Sequence, residues 1–185
     1  MGEDKQIRTG LAEPVVLHVL PVGGGMVSLS PLPGMGGAYR GDLDHLAHWR
    51  PAFVVSLVTH AELVEAGIKD LGPDIQDKGT RWVHLPIRAG EAPDDKLGAT
   101  WPTISLQARK ALLGGGRVMI NSSEGLRRSG MLALRLMIEA GEAPDEAQTR
   151  LGTVQGGLFM NEEQLAWALK ATREPVPFVR HARSV

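Results

Sequence analysis

The chain contains no cysteine. That excludes a disulfide framework and a thiolate zinc site. Charge of one sign is also lacking. The net charge is −1, so no global basic field points to nucleic acid or to an acidic membrane surface. No apolar stretch is long enough to span a bilayer. The segment Met1-Gly-Glu-Asp-Lys-Gln-Ile-Arg8 lacks the apolar core of a signal peptide. The expected location is the cytoplasm, with neither nucleic acid nor membrane as a partner. The six histidines form no His-Glu-x-x-His pattern. His45 and His48 stand three apart on an expected helix, which reads as a solvated face rather than a metal site. No metal and no cofactor are expected. The glycines of Gly23-Gly-Gly25 and Pro33-Gly-Met-Gly-Gly37 lack the Gly-x-Gly-x-x-Gly order that opens a dinucleotide-binding helix, and read as turns. There is no internal repeat.

What is present suits one globular domain over residues 1–185, with peripheral tails at 1–14 and 173–185. The length of 185 residues supports one core, and 43% hydrophobic with 22% charged residues is an ordinary globular balance. Val15 to Leu20 and Met26 to Ser30 read as a hairpin of two strands. Asp42 to Trp49 reads as a short amphipathic helix stopped before Pro51, and Phe53 to Val58 as a buried central strand. Thr59 and Glu62 form a capping box at the start of the next helix. A further helical stretch runs to Asp77, Arg81 to Leu85 is a strand, and Trp101 to Leu113 is a helix halted by Gly114-Gly-Gly116. Arg117 to Ile120 is a strand, followed by a loop and a helix from about Ser129 to Ala140. Pro144 starts another helix, and Asn161 or a residue nearby caps a last one through Ala171. Strands alternating with helices imply an α/β protein with a four- or five-stranded, mostly parallel twisted sheet flanked by helices.

Three other features read as packing or surface. Trp49, Trp82, Trp101 and Trp167 are scattered and suit helix–sheet packing. Tyr39 and Arg40, before the first helix, are read as ordinary surface rather than as the border of a pocket. Met131, Leu132, Leu134, Leu136, Met137 and Ile138 make a broad apolar helix surface that belongs to the core.

The chemistry concentrates in Asn121-Ser-Ser-Glu-Gly-Leu-Arg-Arg-Ser-Gly130. In α/β sheets ligands bind beyond the carboxyl ends of the strands. The amides that open a helix lack intrahelical partners and carry partial positive charge, so an anion is favoured there. Arg127 and Arg128 add charge, and Gly125 lets successive amides turn inward. Ser129 is placed to cap the helix or to hydrogen-bond position 122. Ser122, Ser123, Glu124, Gly125, Leu126, Arg127 and Arg128 therefore form an expected phosphate-binding loop.

This loop resembles the signature of the cysteine-dependent protein tyrosine and dual-specificity phosphatases: His-Cys, five residues, Arg, then Ser or Thr. Within them it is most similar to the branch of the cyclin-dependent kinase inhibitor-type phosphatases, whose loops often read His-Cys-x-Gly-Gly-Leu-Gly-Arg-Ser. Gly125, Leu126, Arg128, Ser129 and Gly130 match. His84-Leu-Pro-Ile-Arg-Ala-Gly-Glu-Ala-Pro-Asp94 resembles that branch's acid loop, and Gln164 falls where such proteins often have a late, water-orienting glutamine. The resemblance implies a phosphatase-like fold over most of residues 15–172. It also implies a mechanism in which a thiolate attacks phosphorus while the loop amides and arginine hold the oxygens. An aspartate protonates the leaving oxygen, and water held by that aspartate and the glutamine completes hydrolysis.

Three positions depart from that pattern. Ser122 stands at the nucleophile position, Asn121 at the histidine position and Ala89 at the general-acid position. A thiol titrates near ~8.5 and lower at a helix N-terminus, whereas a serine hydroxyl needs a general base. Loss of the acid alone costs ~10²–10⁴ in rate. Glu91, Asp94 or Asp95 are the alternatives for that role. Binding needs only the amides, the dipole and Arg128. The expectation is a pseudophosphatase that binds a phosphorylated protein or a small phosphate ester. Three alternatives stand beside it. One is an active phosphatase with its cysteine exchanged for serine, which the complete lack of cysteine would fit. Another is hydrolysis through Ser122. The last is a non-enzymatic interaction domain with no ligand.

Overall fold

The computed structural model describes residues 14–123 and 126–177. Five strands form one sheet: β1 (His18–Val22), β2 (Gly25–Pro31), β3 (Phe53–Ser56), β4 (Arg81–His84) and β5 (Arg117–Ser122), in the order β1-β2-β5-β3-β4. Only the β1–β2 hairpin is antiparallel; the remaining neighbours are parallel. The seven helices among the described residues are α1 (Tyr39–Trp49), α2 (His60–Glu65), α3 (Leu71–Asp77), α4 (Asp95–Leu113), α5 (Arg127–Glu139), α6 (Pro144–Gln155) and α7 (Glu162–Leu169).

The period of two along the strands sorts apolar side chains to two faces. Val118 and Ile120 of β5, with Phe53 and Val55 of β3, pack under α4, α5, α6 and α7. Met119 and Val54 face the other way, toward α1, α2 and α3. The apolar side chains of α5 are all buried, as a helix enclosed on most sides requires. No helix among the described residues is long and apolar enough to cross a membrane.

Several boundaries differ from the sequence expectation: β1 is His18–Val22 rather than Val15 to Leu20, and α1 opens at Tyr39 rather than at Asp42. Helix α4 begins at Asp95, not at Trp101, because the Asp94 carboxylate accepts the Leu97 N–H at 2.8 Å and caps it. Pro102 lies inside that helix and forgoes one ladder hydrogen bond. Helix α5 begins at Arg127, not at Ser129.

The tryptophans pack, as expected. Trp101 is buried and directs Nε1 at both Glu139 oxygens at 3.1 Å, while the Trp167 ring meets it edge-on at 5.8 Å. Arg135 lies 4.3 Å over the Trp167 ring and donates to Glu139 at 2.9 Å. This network joins α4, α5 and α7. Trp82 donates to Ser56 at 2.9 Å and stacks on His84. Trp49 lies beneath Arg117.

Candidate active site

Three segments leave the carboxyl ends of the adjacent parallel strands β4, β3 and β5, and Arg128 ties them together. Strand β5 ends at Ser122, opposite Pro31 of β2. Beyond the regular ladder the backbone stays paired: Leu57 N–H donates to Asn121 at 3.0 Å, and Ile87 N–H to Leu57 at 2.8 Å. The site is therefore mounted on a rigid edge.

Arg128 is the second residue of α5 and is 1% exposed. Its Nη1 donates to Glu62 Oε2 at 2.9 Å and to the Ile87 carbonyl at 2.7 Å. Its Nη2 donates to Glu62 Oε1 at 2.7 Å and to Ser123 Oγ at 2.6 Å. Ser123 in turn donates to Glu62 Oε1 at 3.0 Å. Glu62 also closes the capping box of α2: it accepts the Thr59 N–H at 2.7 Å and the Thr59 hydroxyl at 3.0 Å. Partial burial alone would raise the Glu62 pKa. The hydrogen bonds from Arg128 and from the Thr59 amide, with the Arg128 charge and the Ser123 hydroxyl, outweigh it and bring the value from 4.5 down to about 2. A buried arginine is stabilised only when well paired, and here both terminal nitrogens have two partners each.

Leu126 occupies the residue before α5 with φ 63°, in the left-handed region. An L-residue adopts that conformation at a cost of ~1–2 kcal/mol. The Gly130 N–H at 2.7 Å and Gln155 Nε2 at 3.2 Å both donate to its carbonyl and hold it there. Glu124 and Gly125, expected in the phosphate loop, lie outside the described residues. Arg127 is exposed at the mouth of the loop.

Ser129 does not take either expected role. It lies within the first turn of α5, and no hydrogen bond joins its Oγ to Ser122 Oγ. Both hydroxyls are buried without a partner among the described residues, as are both amide atoms of Asn121. Gln164 is buried, its Oε1 accepts the Asn161 N–H at 3.2 Å to cap α7, and its Nε2 donates to the Glu91 carbonyl at 3.2 Å. It thereby braces the loop that carries Ala89 and Glu91. Asn161 adds a bond to the Gly90 carbonyl at 2.7 Å.

Ala89 is exposed on the acid loop. Glu91 and Asp94 line a cleft of about 340 Å³ with Thr59, Ile87 and Arg88, next to the residues that grip Arg128. Asp95 sits in the first turn of α4, and Asp94 is occupied by its cap. Tyr39 opens α1 and donates to Asp74 of α3 at 2.6 Å, a tether between helices. His45 and His48 are exposed, and no group of three or more metal-ligating side chains gathers among the described residues.

The missed residue is Glu62. Its capping-box signal was readable, but its pairing with an arginine 66 positions away was not. The Ser123 hydroxyl and the Ile87 carbonyl carry no sequence signal for the contacts they make.

No protein-family model matches the chain, and no curated protein matches it. Solved structures do. A kinase-associated phosphatase whose catalytic-site cysteine is substituted by serine superposes with a TM-score of 0.73 at 21% identity, covering 84% of this chain and 93% of its own. Tk-PTP in its active form gives a TM-score of 0.62 at 25% identity, covering 81% and 92%. PTPMT1 in complex with PI(5)P gives 0.60 at 19% identity, covering 78% and 88%. With this α/β architecture, the chain has the fold of the cysteine-dependent protein tyrosine and dual-specificity phosphatases.

Proposed function

We propose that this domain binds a phosphorylated protein or a small phosphate ester at loop 122–128 and does not hydrolyse it. The observation that carries the reading is an asymmetry within one site. Arg128 is fixed in place by Glu62 and Ile87, while Ser122 Oγ has no basic group within hydrogen-bonding reach among the described residues. Nucleophilic serine requires such a base. Oxyanion binding requires only donors, and α5 offers its amides, its dipole and Arg128. Buried hydroxyls normally have partners; of the three without one among the described residues, two, on Ser122 and Ser129, flank this helix entry. A phosphate oxygen would satisfy them. The acid half of the reaction is weakened too: Ala89 has no proton to give, and Asp94 caps α4.

The expected outcome with an aryl phosphate is no turnover above the uncatalysed background, unchanged by Ser122→Ala. The combined change Asn121→His, Ser122→Cys and Ala89→Asp is expected to introduce turnover. Steady-state release of the aryl alcohol measures both. Turnover by the unaltered chain that disappears in Ser122→Ala would establish serine-based hydrolysis and sink this reading.

A further inference from the structure

The guanidinium of an arginine has five N–H donors in a fixed fork. In Arg128 the four terminal ones all have protein partners: Glu62 Oε2 and the Ile87 carbonyl on Nη1, Glu62 Oε1 and Ser123 Oγ on Nη2. Among the described residues Nε has none. Paired capture of two phosphate oxygens needs two adjacent, parallel donors. The end-on pair, one hydrogen from each terminal nitrogen, is taken by the two Glu62 oxygens. The side-on pair consists of Nε–H and the remaining Nη2–H, and Ser123 Oγ sits on the second of these at 2.6 Å.

The partners differ in how firmly they are held. Glu62 is fixed by its capping box, and the Ile87 carbonyl belongs to backbone whose N–H is paired with Leu57. Ser123 is a hydroxyl on a single rotatable bond, retained by its donation to Glu62 Oε1. We propose that Ser123 is a latch on the anion site. Its hydroxyl occupies the place of a phosphate oxygen on Arg128, and the ligand binds by displacing it from Nη2. The inference rests on the reading that Arg128 grips phosphate, and it adds the residue that tunes the affinity.

The test is the dissociation constant of inorganic phosphate, by titration calorimetry at fixed ionic strength, for the unaltered chain and for Ser123→Ala, Ser123→Gly and Ser123→Thr. Removing the hydroxyl leaves a buried charged donor unpaired in the free state, so the ligand no longer has to break a charge-assisted bond. Such a bond is worth about a tenfold change in affinity or more. Ser123→Ala and Ser123→Gly are expected to bind phosphate about tenfold more tightly, while Ser123→Thr retains the latch and the original affinity. A purely structural role for Ser123 would not tighten binding. Equal or weaker binding by the folded Ala and Gly variants, with the unaltered chain still binding, overturns the latch and leaves the phosphate reading standing. No binding by any of the four overturns both.

Discussion

Replacing Glu62 with glutamine is expected to lower folding stability by about 3 kcal/mol at neutral pH and to flatten its acid dependence. The magnitude follows from the pKa. A fall from 4.5 to about 2 on folding corresponds to about 3 kcal/mol of preference for the ionised form. Breaking a buried ion pair from one side costs ~3–5 kcal/mol. The Glu62 side chain is 25% exposed, which puts the value at the lower end. Glutamine keeps the shape but turns an amide donor toward a site already crowded with donors from Arg128, Ser123 and Thr59. Because the folded-state pKa is depressed, the Glu62 contribution is complete above the unfolded value of 4.5. It is lost as pH falls from there toward 2, where the unfolded chain takes up the proton first. Urea denaturation at neutral pH and through that acid window measures this for both proteins. The gap between them should be wide at neutral pH and nearly closed at the acid end. A gap of constant size would show that the Glu62 charge contributes nothing to it.

Arg128→Lys is expected to weaken phosphate binding by about a hundredfold, and Arg128→Ala by more. Truncating one member of a buried, hydrogen-bonded charge contact typically costs ~2–5 kcal/mol. Lysine keeps the charge but loses the planar fork, so it cannot hold Glu62 end-on and an oxyanion side-on together. Phosphate titration of the two variants, with thermal unfolding to confirm that they fold, reads the effect directly. An interaction domain without a ligand would behave differently: its partner would bind as well after Arg128→Ala as before.

The strand–loop–helix unit at the site was legible because its physics is local. An apolar run at Val118–Ile120, then polar residues with glycine, then the apolar surface of α5, is readable from neighbouring residues alone. The capping box at Thr59 and Glu62 was legible for the same reason, as was the Asn161 cap of α7. The contacts that set the site's electrostatics are not local. Glu62 meets Arg128 only because β3 lies beside β5 in the sheet, and that adjacency has no signature at either residue. Ile87 contributes a backbone carbonyl, which any residue carries. The resemblance alone suggests a water-orienting role for Gln164; its place at the third residue of α7, where it forms half of a capping box with Asn161, is a local feature that the expected Asn161 cap already implies. Ser129 was misplaced because the helix starts at Arg127, on a left-handed Leu126 with no side-chain cap.

For the central claim, binding without hydrolysis, the most direct measurement is phosphorus NMR of an aryl phosphate mixed with the protein at near-equal concentration. The expected result is a shifted or broadened ester resonance that returns to its free position on addition of excess inorganic phosphate, with no inorganic phosphate formed over the incubation when none is added. An unperturbed ester resonance would contradict the binding half of the claim. A growing inorganic phosphate resonance, absent with Ser122→Ala, would contradict the other half.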